Sequence, residues 1–516
     1  MSLLLRLSAA ALAVAVPSVA HGAWHKASSK HFIIYSDDKP ERLKAYAEKL
    51  ERFDQAARRV LKRPDPNVGD GNRVTIYVLD SVKAVQKLHG RNDTSLYGFY
   101  QGGFSGSVAF TPRRADEGER GGLKAESVFF HEYNHHLMFQ SFERPYPNWY
   151  VEGFAELLGT PRFEKDGSVT LGIAPLHRGY GLLSGGGLSA TELLQADPWK
   201  LSKTQRESLY GRGWLLSHYL AFEPARASQL SKYLGNLEAG QDNIRAATGA
   251  FGDLQQLDRE LEKYLVRRKL GALTVSGSTL AIGPISITPL STGASEAMEW
   301  KMISKRGVER HNAKQVADSL RAIGVRHPTD PFVQVALAEA EFDVDNFKGS
   351  LAAAEAALKA EPRSVEALVY KGRALASLAE KEDPAASFAK AREAYLAANK
   401  IDTEDPEPLF LYFESFLREG RRPTPNAIKA LHYASVLAPQ DQGLRVTSAM
   451  AWLNEGKLAQ ARVDLLPIAY DPHGGDHAER ARRAVESIDS KDSRGALAAL
   501  SGRRQAGEVA AAPVRR

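Results

Sequence analysis

The run HEYNH, residues 131–135, carries the clearest chemistry in the chain. On a helix, positions four apart share a face, so His131 and His135 can aim two imidazole nitrogens at one metal ion. Glu132 lies about 100° further round, where it reaches a metal-bound water without ligating the metal. A carboxylate so placed is a general base for hydrolysis. Val128, Phe129, Leu137 and Met138 supply the apolar residues that would seat this helix in a core. His136 points one step away from His135 and reads as packing or as support for a ligand. A second pair at the same spacing, His473 and His477 in HGGDH, has two glycines in its spacer and no Glu after the first His. That pair reads as a loop.

Catalytic zinc takes three protein ligands and keeps one position open for water. Downstream lies PNWYVEGFAELLG, residues 147–159, with Pro147 and Asn148 as a helix start and Gly159 as a stop. This helix carries Glu152 and, one turn later on the same face, Glu156. A carboxylate at Glu156 can accept the far N–H of a ligand histidine. The intervening SFERPYP allows a reversal, so the second helix packs on the first.

HExxH followed by a W-x-x-E-G-x-A helix resembles the gluzincin metallopeptidases, the group of thermolysin and of aminopeptidases similar to leukotriene hydrolase. The resemblance spans residues 30–265 and is nearest to bacterial secreted peptidase-like domains with tetratricopeptide repeats behind them. It implies a Zn2+ ion held by His131, His135 and Glu152, with Glu132 as general base and Glu156 supporting a ligand. SLYGRGWLLSHYL, residues 208–220, is similar to the Tyr-x-x-Gly helix of the aminopeptidase branch. That likeness makes Tyr210 a hydroxyl donor to the tetrahedral intermediate; the alternative is a packed core tyrosine with an incidental Gly213. One departure stands out. The segment QGGFSGSVAF, residues 101–110, lacks the acidic residue that binds a free amine in the aminopeptidases, which points to an endopeptidase. Such a strand still offers backbone pairing to an extended peptide.

The positioning elements follow from periodicity. HFIIYSD (31–37) and RVTIYVLDS (73–81) read as strands, separated by a helical run from residue 39 to 61 with Leu43, Ala47, Leu50 and Phe53 on one stripe. A short helix over 82–88 follows, and residues 96–112 read as one or two strands. Helices dominate from 122 to 269. Strands first and helices after is an α+β arrangement. The loop around Arg113, Arg114, Asp116, Glu117 and Arg120 reads as solvated, and YGLLSGGGLSA (180–190) as a mobile loop that lacks the Lys and Ser/Thr of a phosphate loop. Residues 271–295 read as a strand pair or extended bridge.

From 296 the texture turns to Ala, Leu and Glu with helical spacing. Pro328, Pro362, Pro406, Pro439 and Pro472 each read as closing a helix, at gaps of 34, 44, 33 and 33 residues. A 34-residue period marks tetratricopeptide repeats. The expected organisation is a signal peptide over 1–23, a zinc peptidase-like domain over 24–270, a linker over 271–295, an all-α repeat domain over 296–490 and a disordered tail over 491–516.

Residues 1–23 combine Arg6, an apolar run over 7–16, Pro17 and small residues, so export to the periplasm or medium is expected, with membrane attachment only through an uncleaved signal. The chain has 516 residues and no cysteine, which excludes disulfides and thiolate chemistry. Its net charge of +6 is spread along the chain and gives no reason to expect nucleic acid as a partner. The expected function is hydrolysis of a protein or peptide substrate, with the repeats recruiting a protein partner or the substrate itself. The alternative is a degenerate peptidase fold serving as a protein-binding scaffold.

Overall fold

The computed structural model describes residues 23–65, 68–90, 96–113, 123–139, 146–183, 187–380, 384–471 and 474–501. The signal-like residues 1–22, the charged loop 114–122, the reversal 140–145, Ser184 with Gly185 and Gly186, the insertion at 381–383, Pro472, His473 and the tail from 502 lie outside them.

The front half is built on a sheet with six strands among the described residues, in the order β4-β5-β3-β2-β1-β9. Its strands are β1 (His25–Ser28), β2 (Phe32–Ser36), β3 (Val74–Leu79), β4 (Phe99–Gln101), β5 (Val108–Pro112) and, far along the chain, β9 (Ser286–Pro289). Strands β2, β3 and β5 run parallel, while β1, β9 and β4 are antiparallel to their neighbours. The centre is therefore α/β rather than α+β. Two apolar strands separated by α1 (Pro40–Leu61) have the long connection that a parallel pair requires. Helix α2 (Val82–His89) follows β3, with the Ser81 side chain capping it.

One face of the sheet is covered by α1 and by α3 (Ala125–Phe139), the HEYNH helix. Behind α3 come α4 (Asn148–Leu158), α5 (Gly179–Leu183), α6 (Ala190–Leu194), α7 (Lys203–Phe222), α8 (Gln229–Glu238), α9 (Asn243–Phe251) and α10 (Leu254–Leu265). Between α4 and α5 the chain forms a hairpin, β6 (Arg162–Phe163) and β7 (Val169–Leu171), extended by β8 (Leu273–Val275). The expected bridge over 271–295 is thus no strand pair. Its β8 joins the small sheet and its β9 joins the main sheet, each pairing with a strand of the front half.

Among the described residues, twelve helices then form six successive pairs: α11 (Thr292–Arg306) with α12 (Arg310–Arg326), α13 (Pro331–Asp343) with α14 (Phe347–Ala360), α15 (Val365–Ala379) with α16 (Pro384–Ile401), α17 (Pro406–Arg418) with α18 (Pro425–Leu437), α19 (Gln442–Asn454) with α20 (Leu458–Ala469), and α21 (Gly475–Asp489) with α22 (Ser493–Leu500). This is a tetratricopeptide-like helical array. Close approach within a pair rests on small residues: Ala338, Ser350 and Ala357 are fully buried, and the Ser350 hydroxyl donates to the Ala338 carbonyl at 2.8 Å. Pro328, Pro362 and Pro439 follow helix ends as expected. Pro406 instead opens α17, because proline suits the first helical turn; α16 had already ended at Ile401. The array also runs past 490, where α22 packs its Ala496 and Leu500 into the last core cluster. His477 lies in the first turn of α21 and not in a loop.

The second face of the sheet meets the array. Tyr35, Tyr77, Phe110 and Phe99, from β2, β3, β5 and β4, stack side by side with centroids 5.4, 5.3 and 4.6 Å apart. Met298 and Met302 of α11 bury this face together with Val85 of α2, and Phe332 of α13 meets Tyr35 edge-on.

Candidate metal centre

Helix α3 presents His131 and His135 to the same point, as their spacing dictates. Their Nε2 atoms lie 3.0 Å apart. Glu152 of α4 brings Oε2 to 3.3 Å from His131 Nε2 and 3.6 Å from His135 Nε2. All three residues are buried. Tetrahedral zinc with bonds of about 2.0–2.1 Å sets its ligand atoms about 3.3 Å apart. The observed triangle has that size, and the donor set of two imidazoles and one carboxylate is a zinc set, so the residues fit the ion.

Glu156 sits where its helical spacing placed it, with Oε1 3.3 Å from His131 Nδ1. Its other partners were not visible in the sequence. Arg178 donates to the same oxygen through Nε at 2.8 Å and Nη2 at 2.6 Å, and His177 Nε2 lies 3.4 Å from Oε2. Both come from a 3-10 turn before α5 whose sequence, LHR, carries no recognisable signature. The Arg178 guanidinium also lies 4.3 Å from the Tyr210 ring centroid. Tyr210 stands on α7, its ring 6.0 Å from that of His131.

Electrostatics follow from this packing. Burial opposes a charged His131, but hydrogen bonds and charges from Glu152 and Glu156 outweigh it and hold the ring up at about 10. A proton there compensates two buried carboxylates, as a dication would. Burial also opposes a charged Glu156, yet Arg178, His131 and His177 keep it well below the usual carboxylate range. The charge on Glu152, then burial, pushes the Tyr210 hydroxyl up, so it stays protonated. His136 does not join the triangle. It points to the opposite side, where its Nδ1 lies 2.9 Å from the Tyr100 hydroxyl of β4, and burial drives its pKa down to about 3. Glu132 is half-buried and borders a small cavity with Gly98, Phe99 and Tyr100.

Two glycines set the distance between the helices. A Cβ on Gly153 would come within 2.2 Å of the Gly213 carbonyl oxygen, and one on Gly213 within 2.8 Å of the Trp149 carbonyl oxygen. Helices α4 and α7 therefore touch backbone to backbone, which brings Tyr210 beside Glu152. Gly213 is not incidental. Asn134 ties α3 to α4 by donating to the Ala155 carbonyl at 3.3 Å, and the Tyr133 hydroxyl ties α3 to α1 by donating to Asp54 at 2.7 Å.

No family model matches the sequence, and no curated protein matches it. Among solved structures, a thermophilic TPR protein from Thermus thermophilus is similar at 15% identity, over 37% of this chain and 97% of its own, with a TM-score of 0.31. A MamA RS-1 ArsTM double mutant is similar at 15% identity, over 33% of this chain and 92% of its own, with a TM-score of 0.26.

Proposed function

We propose that this protein is a zinc-dependent endopeptidase whose repeat array serves protein binding. The observation that carries the reading is the triangle of His131 Nε2, His135 Nε2 and Glu152 Oε2 at 3.0–3.6 Å, backed by Glu156 on the far nitrogen of His131. A zinc ion would be held there by His131, His135 and Glu152, and it would supply Lewis-acid chemistry and make an attacking water more acidic. Glu132 takes the proton from the attacking water and returns it to the leaving amine. Tyr210, kept protonated, donates to the developing oxyanion. Glu156, pinned by Arg178, faces His131 Nδ1 at 3.3 Å and so keeps Nε2 turned toward the centre. Among the described residues the outer edge of β4 has no strand partner, and an extended peptide can pair along it. The lack of an acidic residue in 101–110 favours internal cleavage over removal of N-terminal residues. With residues 1–23 as a leader, the site of action is outside the cytoplasm.

The test is metal analysis joined to hydrolysis of an unfolded protein by the wild type and by Glu132→Gln. Stoichiometric zinc in both proteins, with turnover in the wild type alone, is the expected result. Equal turnover in both would end the mechanism.

The extent of the array favours a second reading, in which the repeats carry the function as a protein-binding scaffold and the front half holds a metal without turnover. Zinc without hydrolysis in the wild type, over a range of unfolded proteins, would select it.

A further inference from the structure

We propose that the repeat array builds part of the front half's substrate edge, with Phe410, Gln440 and Asp441 acting as positioning residues for β4. The functional meaning rests on the peptidase reading; the physical link does not. Strand β4 is three residues long and has β5 as its neighbour. So short an edge is marginal by itself. The loop that follows it, GGFSGS over 102–107, is too rich in glycine to order itself.

The array supplies the missing order. Asp441, in the turn before α19, accepts the Phe104 backbone N–H at 2.8 Å. The Phe104 ring packs on Phe410 of α17 at 4.7 Å and joins an array core cluster. Gln440 donates through Nε2 to the Gly103 carbonyl at 3.4 Å and to Ser107 Oγ at 3.3 Å. Ser107, buried, accepts the Tyr100 hydroxyl at 2.9 Å. With its proton on Ser107, the Tyr100 oxygen accepts from His136 Nδ1 at 2.9 Å, one residue beyond His135. Tyr100 and Glu132 line the same small cavity. A continuous chain of hydrogen bonds thus connects an array turn to the edge strand and to the HEYNH helix. Strand alternation completes the arrangement: Tyr100 points to α3, while Phe99 on the other face stacks in the ring ladder that the array covers.

The experiment uses the full chain with three variants: Phe104→Ala, Gln440→Ala, and Gln440→Glu, which keeps the size but removes the donor. Amide exchange over residues 97–107 is expected to quicken about tenfold in all three, with zinc content unchanged. The KM for a long unfolded substrate is expected to rise about tenfold while kcat stays within about twofold. Tyr100→Phe should quicken exchange in β4 without loosening the array. Unchanged exchange over 97–107 in the Gln440 variants would overturn the proposal. So would exchange that quickens equally throughout the chain, because that is loss of general stability. If the wild type holds zinc and hydrolyses nothing, the peptidase reading fails, and the exchange measurements still decide the link.

Discussion

His131 has two different neighbours at its two nitrogens, Glu152 at Nε2 and Glu156 at Nδ1, and the residues around it divide accordingly. On the proposed reading, removing a ligand and removing the base give different results. His135→Ala or Glu152→Ala is expected to lose zinc, since two protein ligands hold it poorly. Glu132→Gln is expected to keep zinc while turnover falls about 10²–10⁴-fold. Bound metal measured beside activity separates the two classes, and a Glu152→Ala protein with a full complement of zinc would remove Glu152 from the set. Arg178 provides a subtler case. Arg178→Met leaves the buried Glu156 carboxylate without its strongest partner. We expect a loss of about 3 kcal/mol in denaturant unfolding and a roughly 10–100-fold weaker hold on zinc in competition with a chelator. Unchanged zinc affinity would show that Glu156 does not orient His131.

At the scale of elements, the crossing of α4 and α7 is the feature most exposed to a single atom. Gly153→Ala puts a methyl group into the Gly213 carbonyl and must part the two helices. The expected cost is at least about 1–3 kcal/mol, as for overpacking, with weakened zinc binding because Glu152 shifts along with α4. A stable variant with unaltered affinity would mean that the separation does not govern the site. A second test concerns the joint between α1 and β2. Burial disfavours a charged His31, but the Glu51 hydrogen bond and the charges on Asp54 and Glu51 raise its pKa above the usual value. Burial likewise disfavours the Glu51 carboxylate, and His31 outweighs it and lowers that pKa. The His31 contribution is complete below its unfolded pKa of about 6.5 and fades as pH rises; that of Glu51 is complete above about 4.3 and fades as pH falls. The stability gap between wild type and His31→Asn should therefore be widest at about pH 5–6 and narrow above about 7. Thermal melts from about pH 4 to 9 would show it, and a gap independent of pH would refute it.

These elements also mark where sequence reading succeeds. The helices carrying HEYNH and Glu152–Glu156, and the shared face of each residue pair, were legible because i, i+4 spacing is local. The 22-residue α1 between two apolar strands was legible too, but its consequence, a parallel pair, was passed over. The β6–β7 hairpin was missed because its strands have two and three residues, although Asp166–Gly167 at the turn is a hairpin signal. The partners of Glu156 and the role of Gly213 depend on residues that only tertiary packing brings together. So does the destination of β9.

For the whole molecule, the array is part of what folds the front half. A chain ending after Lys269 lacks β8 and β9, leaving an open edge on each sheet. It should show no cooperative melt. A chain ending after residue 290 keeps both strands but exposes the four stacked rings, and should aggregate and bind a hydrophobic dye. Circular dichroism and light scattering on both truncations test this, and a cooperative melt of the shorter chain would contradict it. The expected boundary at residue 270 cuts between these strands and their partners, since β8 and β9 lie beyond it and pair with β7 and β1.

The pairing of β1 with β9 also sets a clock. His25 lies opposite Pro289, so the sheet cannot be completed until nearly three hundred residues have left the ribosome. At roughly 5–20 residues per second that takes about 15–60 s. During this interval β1 has no partner on its outer side, and the emerging chain stays short of its native core. Slow closure by a late strand leaves the nascent polypeptide open to threading, to chaperones and to proteolysis for a period set by translation rather than by the folding step itself.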